Sequence, residues 1–136
     1  MPLLLYAEGE PEHDFDPAWD YELGEDPAPY LVEAAREAAA RVASASGLKF
    51  HLYAVDLTDQ GVLARYADGT AELPVILIDL NANLDACELY DAPLAVALRT
   101  SIGHELGHAR QEYEGRDSDE DDAEAFAAFL EARISG

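Results

Sequence analysis

Two histidines four residues apart, with a glutamate beside the first, form the segment of this chain best arranged for chemistry: His104-Glu105-Leu106-Gly107-His108. On an α-helix such histidines project from one face about one turn apart, so both imidazoles can reach a single metal ion. Glu105 can then reach a metal-bound water without being a ligand itself, which is the place of a general base. The pattern is HExxH. Two histidines alone hold a catalytic zinc poorly, so a third protein ligand is expected, with one position left open to water.

The motif needs a long helix, and the sequence supplies one. From about Pro93 to Glu114, Leu94, Val96, Leu98, Ile102 and Leu106 recur at helical spacing, and Gly115 ends the pattern. Gly107 leaves space beside the histidines through which a neighbouring backbone could approach the metal. After a tight connection at Arg116-Asp117, Ser118 can cap a last helix from about Asp119 to Ile134. The acids Asp119-Glu120-Asp121-Asp122 suit the first turn of a helix through the dipole alone. A calcium loop fits poorly, because Asp122 stands where the sharp turn needs glycine and Ala128 where a bidentate acid is needed.

That last helix offers Glu120, Asp121 and Glu124 as the third ligand. If the two helices fold back about Arg116, equal counting places Glu124 level with His108 and Glu120 level with Glu112, which favours Glu124. Ala123, Phe126, Ala127 and Leu130 form the apolar stripe of this helix, and Glu124 flanks it. A carboxylate at such a seam is costly without a partner, and a metal ion supplies one. The plainer alternative is a solvated or arginine-paired Glu124.

Upstream, residues 1–29 read as an N-terminal arm in which Pro2 to Tyr6 could be a short strand and residues 8–29 are acidic and proline-rich, carrying His13, Phe15, Trp19, Tyr21 and Leu23. These aromatic residues imply that the arm lies on the domain, where it could also cover a cleft. Residues 30–136 read as one domain. A helix from Pro29 or Tyr30 to Ser46 stops at Gly47. Lys49 to Leu57 alternates as a strand with Phe50, Leu52 and Ala54 towards the core and His51 on the other, partly exposed face. Val62 to Tyr66 is a second short strand, ended by the hairpin signal Asp68-Gly69. The β-branched run Pro74 to Leu80 makes a third, so an antiparallel meander is expected. Asn81 to Tyr90 reads as a connecting segment. The fold class is α+β: a small, mostly antiparallel sheet packed on an N-terminal helix, an active-site helix and a C-terminal helix.

Charge and cysteine content narrow the setting. The chain has 136 residues and a formal net charge of -21, with Lys49 its sole lysine. Such a surface repels nucleic acid phosphates and anionic membranes and attracts basic segments. Cys87 is the only cysteine, which excludes an intrachain disulfide. A poor signal-peptide pattern at the N-terminus and the lack of a membrane-length apolar run lead to the expectation of a soluble cytoplasmic protein.

With these residues in place, the chain resembles the gluzincin metallopeptidases, and most closely the small ImmA/IrrE-like group. The matching residues are the strand Pro74 to Asp79, the segment Ser101-Ile102-Gly103-His104-Glu105-Leu106-Gly107-His108-Ala109, and Asp121-Asp122-Ala123-Glu124-Ala125-Phe126-Ala127. They span roughly the C-terminal half. The resemblance implies a minimal zincin-like domain in which His104, His108 and Glu124 bind Zn2+ and Glu105 is the catalytic base. A rival alignment, from Glu120 to Ala127, resembles the related ExxAD pattern and makes Glu120 the ligand, with Glu124 an acid near His104. The short connection after His108 favours Glu124.

The function expected is a zinc-dependent endopeptidase acting on a protein or peptide substrate, with basic or neutral segments preferred and with no nucleic acid or membrane partner. Tyr113, Tyr53 and His51 are the side chains available to steady an oxyanion. The competing reading is a non-catalytic, metal-stabilised acidic protein that binds a basic partner; it has no use for Glu105. Mimicry of nucleic acid by negative charge ranks last, because it rests on composition alone.

Overall fold

The computed structural model describes residues 2–7, 21–70 and 73–135. In chain order these form β1 (Leu3–Tyr6), α1 (Pro29–Ser46), β2 (His51–Ala54), β3 (Ala64–Thr70), β4 (Leu73–Ile78), α2 (Leu80–Tyr90), α3 (Leu94–Tyr113) and α4 (Glu120–Ser135). The fold is α+β, with a mixed four-stranded sheet in the order β1-β2-β4-β3. No helix among the described residues is long and apolar enough to cross a membrane.

Local chemistry sets most helix ends. Pro29 opens α1, where its missing N–H costs nothing, and Gly47 closes it in the left-handed region at φ 70° with its N–H on the Ala43 carbonyl. Leu31, Ala35, Ala39 and Val42 make the fully buried face of α1. Asp79 caps α2 by accepting the Ala82 N–H at 3.0 Å. The segment expected to be a connection is therefore an eleven-residue helix, and it buries Leu80, Asn83 and Cys87.

The sheet is not a meander. β4 lies between β2 and β3, parallel to β2 with His51 opposite Val75 and Ala54 opposite Ile78, and antiparallel to β3 with Ala64 opposite Ile78. The cause is β4 itself. Val75, Ile76, Leu77 and Ile78 are all fully buried, so this strand needs cover on both faces and takes an interior place. Ile76 and Ile78 face the helices, while Val75 and Leu77 pack with Val55, Leu57 and Ala67 on the far side, joined by Tyr21 and Tyr53. His51 is accordingly 1% exposed, not half out in solvent as the alternation implied. β3 takes the edge. Asp68-Gly69 lies inside it, at a register shift between Ala67 and Thr70, and the strand turns back only beyond Thr70, which pairs with Leu73.

Of the acidic arm, Tyr21 and Leu23 pack against the two sides of the sheet, and the Glu22 carbonyl accepts the Asp56 N–H at 2.7 Å. His13, Phe15 and Trp19 lie outside the described residues.

The closest inter-helix contact is between α3 and α4. A Cβ placed on Gly107 would sit 2.8 Å from the Ala123 Cα, and one on Gly103 would sit 3.2 Å from the Ala127 Cα. Small residues on both helices thus let their backbones nearly touch. The space at Gly107 is filled by α4 and is not an approach route to a metal. Towards the other end of α3, Arg99 holds Glu131 of α4 through Nε at 2.7 Å and Nη2 at 2.5 Å, a two-pronged pair with both side chains largely covered.

Two measurements follow from this seam. Gly107→Ala is expected to destabilise the fold by about 1–3 kcal/mol in chemical denaturation, since backbone must shift to admit the methyl, and Gly103→Ala by less. The Arg99 guanidinium holds the Glu131 carboxyl below its ordinary range. A carboxyl depressed on folding stabilises the native state above its unfolded pKa, and that contribution fades as pH falls through the folded value. Arg99→Met should therefore cost about 1 kcal/mol near neutrality and little at pH 3, read from denaturation midpoints across that range.

Candidate metal centre

α3 presents the motif as the spacing requires. The rings of His104 and His108 lie edge to face with centroids 4.9 Å apart, and their Nε2 atoms are 3.2 Å from each other. The carboxylate that meets them belongs to Glu120. Its Oε2 lies 2.8 Å from His104 Nε2 and its Oε1 3.0 Å from His108 Nε2. Glu105 completes a cluster in which ligand atoms of His104, Glu105 and His108 all lie within 4.8 Å of one another.

Glu124, the residue favoured by counting along the helices, is not at the imidazole nitrogens. It lines a neighbouring cleft with Thr100, His104, Ala127, Ala128 and Glu131. Counting placed it at the correct height, because Ala123 sits against Gly107, but ignored rotation. At about 100° per residue, Glu120 stands about 20° from the direction of Ala127 around α4, and Glu124 about 60° from it. Glu120, Ala123, Ala127 and Leu130 therefore form the line facing α3, and Glu124 turns outward. The ExxAD-like alignment describes this placement better.

A clamp at the mouth of the helix pair delivers Glu120. Gln111, 1% exposed, accepts the Asp119 N–H on Oε1 at 3.0 Å and donates from Nε2 to the Asp119 carbonyl at 2.8 Å and to Asp122 Oδ2 at 2.9 Å. Asp119 in turn caps α4 by accepting the Asp122 N–H. Ser118, expected as that cap, instead sets its Oγ 3.3 Å from His108 Nδ1, which is also 3.1 Å from Gln111 Oε1. The sequence signal for Gln111 is the series Gly103, Gly107, Gln111, every fourth residue on the face that α4 covers; a polar residue continuing a line of glycines has no apolar explanation.

Glu105 points the other way, under the edge strand. Its carboxylate accepts the backbone N–H of Tyr66 in β3, and its Oε2 is buried with no protein partner. Burial pushes this carboxyl above its ordinary range, against the pull of His104 and His108; Glu120 adds to the rise and the Tyr66 amide opposes it. A cleft of about 380 Å³ opens here, lined by Val62, Leu63 and Ala64 on one wall, Thr100 and Ser101 on another, and His104, Glu105 and Glu120 at its end. Asn83, wholly buried, holds these walls together: it donates to the Leu63 and Asp79 carbonyls and accepts from the Ser101 hydroxyl at 2.7 Å. Nothing in the local sequence announces Asn83 beyond its place in α2. Tyr113, Tyr53 and His51 are not among the residues lining the cleft; Tyr113 borders a separate one with Leu48, Lys49 and Pro74.

A tetrahedral zinc with bonds of about 2.0–2.2 Å has neighbouring ligand atoms about 3.3 Å apart. The separations of 2.8–3.2 Å among the two Nε2 atoms and the Glu120 oxygens are close to that. Two imidazoles and a carboxylate are also the donor types this metal takes. The Glu120 side chain is 74% exposed, so the group opens to solvent on one side. No family model matches the chain, and no curated protein or solved structure does either.

This geometry ranks the carboxylates. In competition titrations of metal-free protein against a chelator, Glu120→Ala is expected to weaken zinc binding by more than about 100-fold, and Glu124→Ala by less than about threefold.

Proposed function

We propose that the protein is a zinc-dependent peptidase whose metal is held by His104, His108 and Glu120, with Glu105 as the general base. The observation that carries this reading is the buried, unpartnered Oε2 of Glu105 beside the converging Nε2 atoms of His104 and His108 and the carboxylate of Glu120. Acceptors brought this close repel one another unless a proton or a cation lies among them. A metal-stabilised scaffold would account for the three ligands alone. It gives no reason to set a second carboxylate next to them and bury one of its oxygens without a partner.

A zinc ion bound there supplies a Lewis acid that polarises a carbonyl and acidifies water at neutral pH. The chain's own part is to move protons and to hold the substrate. Glu105, raised above the ordinary carboxyl range by burial, is tuned towards taking a proton from water and returning it to the leaving amine. The Tyr66 amide fixes one end of its carboxylate and leaves Oε2 without a hydrogen-bond partner.

β3 supplies the surface for an extended substrate. Because the Tyr66 N–H is turned away from β4 to Glu105, and the Leu63 carbonyl is turned inward to the Asp79 N–H, the alternation of an antiparallel pair turns the N–H and C=O of Ala64 outward into the cleft. A peptide strand added at Ala64 would run past His104 and Glu105. Val62 and Leu63, both 41% exposed, offer it apolar contacts. Across His104, Glu124 and Glu131 border the second cleft, which accords with a preference for basic or neutral segments in a chain of net charge -21. A cytoplasmic setting and the absence of nucleic acid and membrane partners belong to the same proposal.

Glu105→Gln tests the reading. Incubated with a mixed peptide library and followed by mass spectrometry, the zinc-loaded wild type should produce cleavage products. The variant should keep its zinc and lose at least about 1,000-fold in rate. Undiminished cleavage by the variant removes Glu105 from the base role, and a zinc-loaded wild type that cleaves nothing removes the peptidase.

A further inference from the structure

Gln111 touches both halves of the metal centre, and the way its amide is oriented is not free. Its oxygen faces the Asp119 N–H and its nitrogen faces the Asp119 carbonyl and the Asp122 carboxylate. Exchanging the two ends would set N–H against N–H and oxygen against two oxygens, with the residue 1% exposed. The oxygen is therefore the atom that meets His108 Nδ1 at 3.1 Å. An oxygen at that place can only accept, so Nδ1 must carry the hydrogen. In the neutral ring, Nε2 then keeps its lone pair, directed at His104 and Glu120.

From this we infer that Gln111 is a positioning residue that couples the two sides of the site: one carboxamide sets the tautomer of His108 and clamps Asp119 so that α4 begins with Glu120 at the imidazoles. The inference rests on the reading of His104, His108 and Glu120 as metal ligands. Ser118 Oγ, 3.3 Å from the same Nδ1, is a hydroxyl that can donate or accept, so it imposes neither tautomer, and it comes from the exposed loop. Gln111 differs because two of its four contacts hold Asp119, the residue immediately before Glu120, a third holds Asp122, and the fourth meets His108. A disturbance at either end is transmitted to the other through a side chain with two rigid faces.

The coupling predicts two effects that merely structural packing would not produce together. In metal-free protein, long-range proton–nitrogen spectra of the imidazoles should show His108 as the Nδ1–H tautomer. In Gln111→Leu, which has no acceptor, that tautomer should give way to Nε2–H, and zinc affinity in a chelator competition should fall about 10–100-fold. Gln111→Glu keeps the oxygen facing Nδ1 and loses the two N–H donors. It should retain the tautomer, yet lose affinity because the Asp119 carbonyl and the Asp122 carboxylate have lost their donor and now face a carboxylate.

The inference is overturned if wild-type His108 is the Nε2–H tautomer, or if Gln111→Leu keeps both the wild-type tautomer and an affinity within about threefold of wild type. Should Gln111→Leu fail to fold, the wild-type and Gln111→Glu spectra decide. A wild type that shows the Nδ1–H tautomer but binds no zinc contradicts the metal-centre reading and not the placement of the proton.

Discussion

The near-contact of two helix backbones, Gly107 against Ala123 and Gly103 against Ala127, is the constraint on which the site depends. It fixes the height and the rotation of α4 on α3. Once those are fixed, the first residue of α4 falls across both imidazoles, and no long loop is needed to bring its carboxylate there. The connection of only six residues after Tyr113 is sufficient because Gln111 pins Asp119 to α3 before α4 begins. Larger residues at Gly103 or Gly107 would separate the helices and move Glu120 away from the histidines.

Electrostatics give the same site its chemical character. The chain carries a large excess of carboxylates, and most are solvated; those at the centre differ in what surrounds them. Glu120 is exposed yet in contact with two imidazoles, whereas Glu105 is half-buried, raised in pKa and has one buried oxygen without a partner. Two carboxylates held in such different surroundings are suited to different work, one as a fixed ligand and the other as a group that gains and loses a proton. The edge strand contributes through its backbone, since the Tyr66 amide that meets Glu105 is one of the β3 groups that the pairing with β4 leaves turned outward.

Much of this was legible in the sequence wherever one local signal decided the matter. Pro29 and Gly47 bound α1 to the residue, and the HExxH spacing placed two imidazoles on one face. Where two signals had to be combined, the reading failed. Counting residues gave the height of Glu124 correctly and left out its rotation, which depends on which face of α4 the glycines of α3 admit. Asp68-Gly69 looks like a hairpin turn in isolation but sits in β3 at a shift of register, because the pairing with β4 extends past it. The order of the strands followed from how completely β4 is buried, a property of the assembled sheet. Asp79 reads as the end of a strand in the sequence, and its capping of α2 shows only in the structure, because the buried face of that helix is short.

The central claim, that His104, His108 and Glu120 share one divalent ion, is tested most directly by anomalous diffraction at the zinc absorption edge from crystals of the zinc-loaded protein. The account predicts a single strong peak about 2.0–2.1 Å from both Nε2 atoms and about 2.0–2.2 Å from a Glu120 oxygen. A peak coordinated by Glu124 in place of Glu120, or none between the two histidines, would contradict it.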